Sequence, residues 1–157
     1  MFRFERDELK QSVNHGFARE RAVRFQDVDA AGIIFYARAF ELCHDLYVEF
    51  LSEAGLPLHE SLKGPVIAPI RHAESDYLRP LRFGDRVEVA LVAAQLGPAA
   101  PPSEATLGFR ISKLPAREPS ILVQSVHTFV TRDRFERAEV PEALARALRA
   151  AGVLKNA

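Results

Sequence analysis

Phe25-Gln26-Asp27-Val28-Asp29-Ala30-Ala31-Gly32-Ile33-Ile34-Phe35-Tyr36 decides how this chain reads, because it brings two carboxylates and a glycine to the start of the longest helical pattern. Behind it, Tyr36, Phe40, Cys43, Tyr47, Phe50 and Ala54 recur at helical spacing, while Arg38, Glu41, Asp45, Glu49 and Ser52 fall on another face. Phe35, Ala39, Leu42 and Leu46 widen the apolar stripe, which predicts a helix over 35–54 wrapped by sheet rather than lying on a surface. Gly55 and Pro57 supply its stop signals.

On the N-terminal side, residues 17–27 alternate as a strand that ends at the Asp-x-Asp-x-x-Gly turn. Residues 1–16 are polar and without period, and read as an arm or short helix able to order against a neighbouring subunit. On the C-terminal side, strands are predicted over 66–78, 85–95, 105–114 and 121–132, joined by Pro/Gly-rich turns short enough to favour antiparallel neighbours. Leu107, Phe109 and Ile111 alternate with Thr106, Gly108 and Arg110, so that strand should bury one face. A short amphipathic helix over 141–151 closes the chain, with Pro141 in its first turn. Strand, long helix and four strands make an α+β plan in which one helix sits inside a curled antiparallel sheet, in a single domain spanning 1–157.

Composition narrows the function classes. The chain has 157 residues, enough for one domain with a real core. Its 21 Lys plus Arg balance 21 Asp plus Glu, so no global field favours nucleic acid or an anionic membrane. One cysteine excludes an intramolecular disulfide and a multi-cysteine zinc site, and Cys43 in an apolar stripe reads as a buried hydrophobe. No secretory h-region and no apolar run of bilayer length are found, so a cytoplasmic protein without membrane insertion is expected.

The Asp-x-Asp opening resembles an EF-hand loop only superficially, since Ala31 and Arg38 stand where oxygen ligands would be needed. The histidines at 15, 44, 59, 72 and 127 fit no metal-ligand spacing. His72 and His127 lie in strand-like stretches and read as structural or pocket-lining, whereas His44, two turns past Tyr36, is either solvated or directed at a pocket. No nucleophile elbow and no Gly-rich phosphate loop is present. Two readings of the opening stretch remain on physics alone. The carboxylates either cap the helix, or one of them works with backbone N–H groups near Tyr36 as a carboxylate and oxyanion-donor pair, Gly32 allowing close approach.

The stretch 25–36, together with a long helix ending at Gly55 and four later strands, resembles the 4-hydroxybenzoyl-CoA thioesterase branch of the hotdog-fold superfamily over residues 18–135. This resemblance implies a hotdog fold and hydrolysis of an acyl-CoA thioester without metal or cofactor. It implies Asp29 as the catalytic carboxylate, nucleophile or general base, and the Tyr36 backbone N–H as the group polarising the carbonyl. Asp27 is then structural. Gly32, Phe35, His44 and His72 are placed at the substrate, and a homodimer or homotetramer is expected, with subunit interfaces forming the pocket. Ala30 stands where relatives often carry Pro, and His44 where the 4-hydroxybenzoyl enzymes carry a substrate-binding Asp. Cys43-His44 and the stretch 68–80 look more like the 1,4-dihydroxy-2-naphthoyl-CoA thioesterases of quinone biosynthesis. Relatives acting on short-chain or fatty acyl groups often carry His where Tyr36 stands, which favours an aromatic acyl group. The alternatives are a short-chain or fatty acyl-CoA thioesterase and a non-catalytic acyl-CoA-binding module. Arg71, Arg79, Arg82 and Arg110 are candidates for the CoA phosphates by charge alone.

Overall fold

The computed structural model describes residues 1–13 and 16–155; His15, and with it part of the arm expected over 1–16, lies outside them. The elements run α1 (Arg6–Gln11), β1 (Phe17–Ala22), α2 (Tyr36–Glu53), α3 (Leu58–Ser61), β2 (Val66–Ile67), β3 (Ile70–Tyr77), β4 (Arg86–Gly97), β5 (Glu104–Lys113), β6 (Glu118–Thr128), β7 (Val130–Thr131), α4 (Glu142–Ala150) and β8 (Leu154–Lys155). The main sheet has the order β1-β4-β5-β6-β3, antiparallel throughout, and β8 pairs parallel with β4. β2 and β7 form a separate two-stranded ladder.

Helix α2 forms because its apolar residues find a sheet to cover them. Ala39, Leu42, Cys43, Leu46, Tyr47, Phe50 and Leu51 are buried and share one cluster with the inward row of Val87, Val89, Leu107, Phe109, Ile111, Ile121 and Val123. The ends of the apolar stripe behave differently. Phe35, Tyr36 and Ala54 are exposed, since the sheet covers only the middle of the helix. Its C-terminus is a Schellman motif: Gly55 takes φ +77°, its N–H donates to Ser52 O, and Leu56 N–H donates to Leu51 O at 2.8 Å.

Several boundaries differ from the sequence reading, each for a local reason. The strand expected over 17–27 stops at Ala22, and Phe25–Asp27 forms one 3-10 turn, because the Asp27 carboxylate accepts the Arg24 N–H and folds the chain back. The strand expected over 66–78 divides into β2 and β3 around Ala68 and Pro69, where proline has no N–H to continue a ladder. The helix expected over 141–151 begins after Pro141, which is its N-cap.

The arm makes the largest difference. Phe4 and Leu9 are buried against Ala90, Val92, Ala93 and Leu122 on the outer sheet face, so β5 buries both faces rather than one. The Gln124 side-chain amide exchanges hydrogen bonds with the Phe4 backbone at 2.8 and 3.0 Å. Arg110 donates to the carbonyls of Leu9, Lys10 and Ser12 at the end of α1, in line with the preference for cations there. Gly108 makes room: a β-carbon there would lie 2.4 Å from Leu9 Cδ2.

Candidate active site

The turn after β1 is built on Asp27. Only 1% exposed, its carboxylate accepts from the Arg24 N–H at 2.8 Å, from Arg24 Nε and Nη2 at 3.1 and 3.0 Å, and from Arg38 Nε at 2.8 Å. Burial alone would raise this carboxyl, but the hydrogen bonds from Arg24 and the charges of Arg38 and Arg24 outweigh it and hold it below the usual range. Its carbonyl also accepts the Phe35 N–H at 2.8 Å. Asp27 thereby ties the strand end, the turn and the first turn of α2 together.

Asp29 sits two residues on, exposed at the tip of the turn. Its Oδ1 accepts from the N–H groups of Ala31 and Ile33 at 2.8 and 3.3 Å, while its own N–H donates to Ile33 O at 2.9 Å. Gly32 takes φ +75°, and a β-carbon there would meet nothing within 4 Å. Backbone conformation, not crowding within the chain, therefore demands glycine. Ile34 N–H donates to Leu81 O, and an isolated bridge sets Ile33 beside Arg82. The turn is thus pinned on both sides.

At the start of α2 the Phe35 N–H is taken by Asp27, so the next donor is Tyr36. As the first helical residue it has no intrahelical acceptor, and among the described residues nothing outside the helix accepts its N–H. Tyr36 is 64% exposed, its ring tilted against Phe35 at 4.8 Å. Tyr77 Oη donates to the Tyr36 carbonyl at 2.5 Å, binding the edge strand β3 to the helix start. Asp29, Gly32, Phe35 and Tyr36 therefore form one exposed corner, with a free N–H at the positive end of a helix.

Two cavities lie along α2, one beginning at Arg38 and the other at His44, and none of the four corner residues lines either. One of about 490 Å³ is lined by Arg38, Cys43, Phe109, Val123 and Ser125 among others. The other, of about 690 Å³, extends beneath α3 and the 64–70 segment and is lined mainly by apolar side chains such as Leu51, Leu62 and Phe129. His44, Tyr47, Ile70 and His127 line both, so His44 is at once exposed and directed at a pocket. Burial pushes the Cys43 thiol up, leaving it inert.

His72 is not brought to this site. It pairs across the ladder with Val126 and hydrogen-bonds Glu74 Oε2 at 2.9 Å. Glu74 also accepts from Arg3 and Gln124 beside the N-terminal arm, on the sheet face away from α2. The arginines separate as well. Arg71 pairs with Glu104, Arg79 with Glu118, and Arg110 with the end of α1. The Arg82 guanidinium alone of the four has no partner among the described residues, and it lies next to the Asp29 turn.

Ser125 and Tyr47 are pocket residues that periodicity hid, and His127, read as structural or pocket-lining, joins them in the cavity. The available signal was Ser125 and His127 two apart on an inward row otherwise held by Ile121 and Val123. Burial pushes the His127 imidazole down to about 4, His44 adding in the same direction and a hydrogen bond with the Ala68 backbone opposing. An unfolded histidine titrates near 6.5, so the folded chain binds fewer protons between roughly pH 4 and 6.5 and loses stability as pH falls through that window, by up to about 3 kcal/mol. His127→Gln should flatten the dependence of Tm on pH there. An unchanged profile would reject this role.

The sequence model of the thioesterase-like superfamily matches residues 23–148. The chain belongs to that superfamily. A 1,4-dihydroxy-2-naphthoyl-CoA hydrolase from Synechococcus elongatus is 35% identical over 127 residues, covering 80% of this chain and 89% of the relative. Among solved structures, a 1,4-dihydroxy-2-naphthoyl-CoA thioesterase from Synechocystis superposes with a TM-score of 0.77 at 25% identity, covering 85% of this chain and 95% of the other. A DHNA-CoA thioesterase from Staphylococcus aureus, at 15% identity and TM-score 0.69, covering 86% and 93%, shares the fold. The architecture is the hotdog α+β fold, and the chain is an acyl-CoA thioester hydrolase. Among the described residues no helix is long and apolar enough to cross a membrane.

Proposed function

We propose that this hydrolase cleaves an aromatic acyl-CoA, with 1,4-dihydroxy-2-naphthoyl-CoA as the leading substrate. The observation that carries the mechanism is the unaccepted Tyr36 N–H beside the Asp29 turn. The thioester carbonyl oxygen accepts from Tyr36 N–H, which, at the positive end of α2, stabilises the negative charge that develops there. Asp29 then either attacks the carbonyl carbon, giving a mixed anhydride that water opens, or takes a proton from the attacking water. Both routes break the C–S bond and release the carboxylic acid and CoA thiol. Gly32 and Phe35 border the approach, and the acyl group enters the α2 cavities past His44. Arg82, beside the turn, is the arginine free to meet a CoA phosphate.

The substrate choice is supported by the naphthoyl-CoA relative and by cavities large enough for a fused ring. A homodimer or homotetramer is part of the proposal, with the exposed edge strand β3 as its contact. Thiol release from benzoyl-, 4-hydroxybenzoyl-, dihydroxynaphthoyl- and straight-chain acyl-CoAs at equal concentration tests the reading. The dihydroxynaphthoyl thioester should exceed the straight-chain ones by about tenfold or more in kcat/KM. A preference for straight chains would overturn the aromatic assignment.

A further inference from the structure

The inward face of β6 carries two buried polar side chains in an apolar wall. Ser125 and His127 follow Ile121 and Val123 on the row that packs toward α2, and both line the 490 Å³ cavity. Their hydrogen bonding is directional. Ser125 Oγ lies 3.0 Å from His127 Nε2, and the Tyr47 ring packs against the imidazole at 5.2 Å. No carboxylate partners the ring among the described residues, so a buried imidazole is neutral and has one proton to place. In the tautomer that carries this proton on Nδ1, Nε2 is an acceptor. The Ser125 hydroxyl must then donate to Nε2. Its oxygen keeps acceptor capacity facing the cavity, and no other partner of Oγ is found among the described residues.

We propose that the Ser125–His127 pair reads a hydroxyl on the acyl group: Ser125 Oγ accepts a hydrogen bond from an acyl-ring O–H, while His127 holds the serine proton away from it. The substrate class is thereby an aromatic acyl thioester with a ring hydroxyl, in preference to its deoxy counterpart. This rests on the cavity being the acyl site of the hydrolase proposed above. Ser125 is a specificity residue here and takes no part in bond cleavage, since the carbonyl is held outside, at the Tyr36 corner.

The test pairs two non-hydrolysable CoA thioether ketones, one with a hydroxynaphthyl and one with an unsubstituted naphthyl ring. Their affinities are measured by calorimetry on the full chain, its Ser125→Ala variant and its near-isosteric Ser125→Cys variant, with turnover of the matching thioesters in parallel. The full chain should bind the hydroxylated ligand about tenfold tighter, and that gap should shrink to within about twofold in both variants. Equal affinities in the unmodified chain, a gap that survives either substitution, or variants that lose both ligands in equal measure would overturn the proposal. So would equal loss of turnover on both thioesters with the binding gap intact, which would make Ser125 a catalytic residue. No turnover of any thioester, with the gap present and abolished by substitution, would refute the hydrolytic reading and leave this one standing. Binding of neither ligand would refute both.

Discussion

Asp29→Asn should lower kcat for thiol release by about 10³-fold, while Tm and assembly should stay those of the unmodified chain. The separation is possible because of how the turn uses this side chain. Among the described residues only Oδ1 is engaged, accepting from Ala31 and Ile33, and asparagine retains a carbonyl oxygen for both. What the substitution removes is the charge, and with it the nucleophile or base proposed for the reaction. Steady-state kinetics on the preferred aromatic acyl-CoA, beside a thermal melt, measures both sides. Residual activity near that of the unmodified chain would place the chemistry elsewhere, and a collapse in Tm would make Asp29 a scaffold residue.

Asp27→Ala should have the opposite signature: a loss of about 3 kcal/mol of stability, read as a Tm lowered by about 10 °C. The Arg38 side chain is only 18% exposed, and removal of the buried carboxylate leaves it with Glu41 alone at the helix surface while the Arg24 N–H loses its acceptor. Because the folded Asp27 carboxyl is depressed, its contribution is present above the unfolded value near 4 and is lost as pH falls below it. The Tm difference between the unmodified chain and Asp27→Ala should therefore narrow on going from pH 7 to pH 3. A variant as stable as the unmodified chain at pH 7 would remove Asp27 from its supporting role. Two carboxylates two residues apart thus divide into one buried among arginines that holds the corner and one exposed at the turn, to which the proposal gives the chemistry.

The opening stretch was legible to different depths at its two ends. Asp-x-Asp-x-x-Gly before a helical period announced a turn feeding a helix, and Gly55 and Pro57 announced its end. That Asp27 is enclosed by Arg24 and Arg38 was not legible, since the Arg38 contact spans eleven residues and depends on the angle at which the helix leaves the turn. His72 was placed at the substrate through the resemblance. A bulge between Ile70 and His72 resets the alternation of β3, and His72 faces the arm with Glu74. The arm itself reads as polar because its two anchoring side chains, Phe4 and Leu9, have no period of their own; they become core only where Gly108 leaves a hollow in the sheet.

The pairing expected between the strands over 66–78 and 85–95 does not form, because β3 lies beside β6 at the far end of the sheet from β4. By itself the sequence determined the alternation of strand, long helix and strands, the antiparallel pairing of β4 with β5 and of β5 with β6, and the turn that feeds α2. These depend on period, turn chemistry and capping, which act over a few residues. Only the tertiary structure decided that the sheet is covered on both faces, that three of the four candidate arginines are already committed, and that Ser125 and His127 meet Tyr47 in one cavity with His44. Those outcomes depend on which elements become neighbours: the order β1-β4-β5-β6-β3 pairs Phe17 with Leu91, the arm sets Phe4 against Gln124, and no local pattern encodes separations of that length.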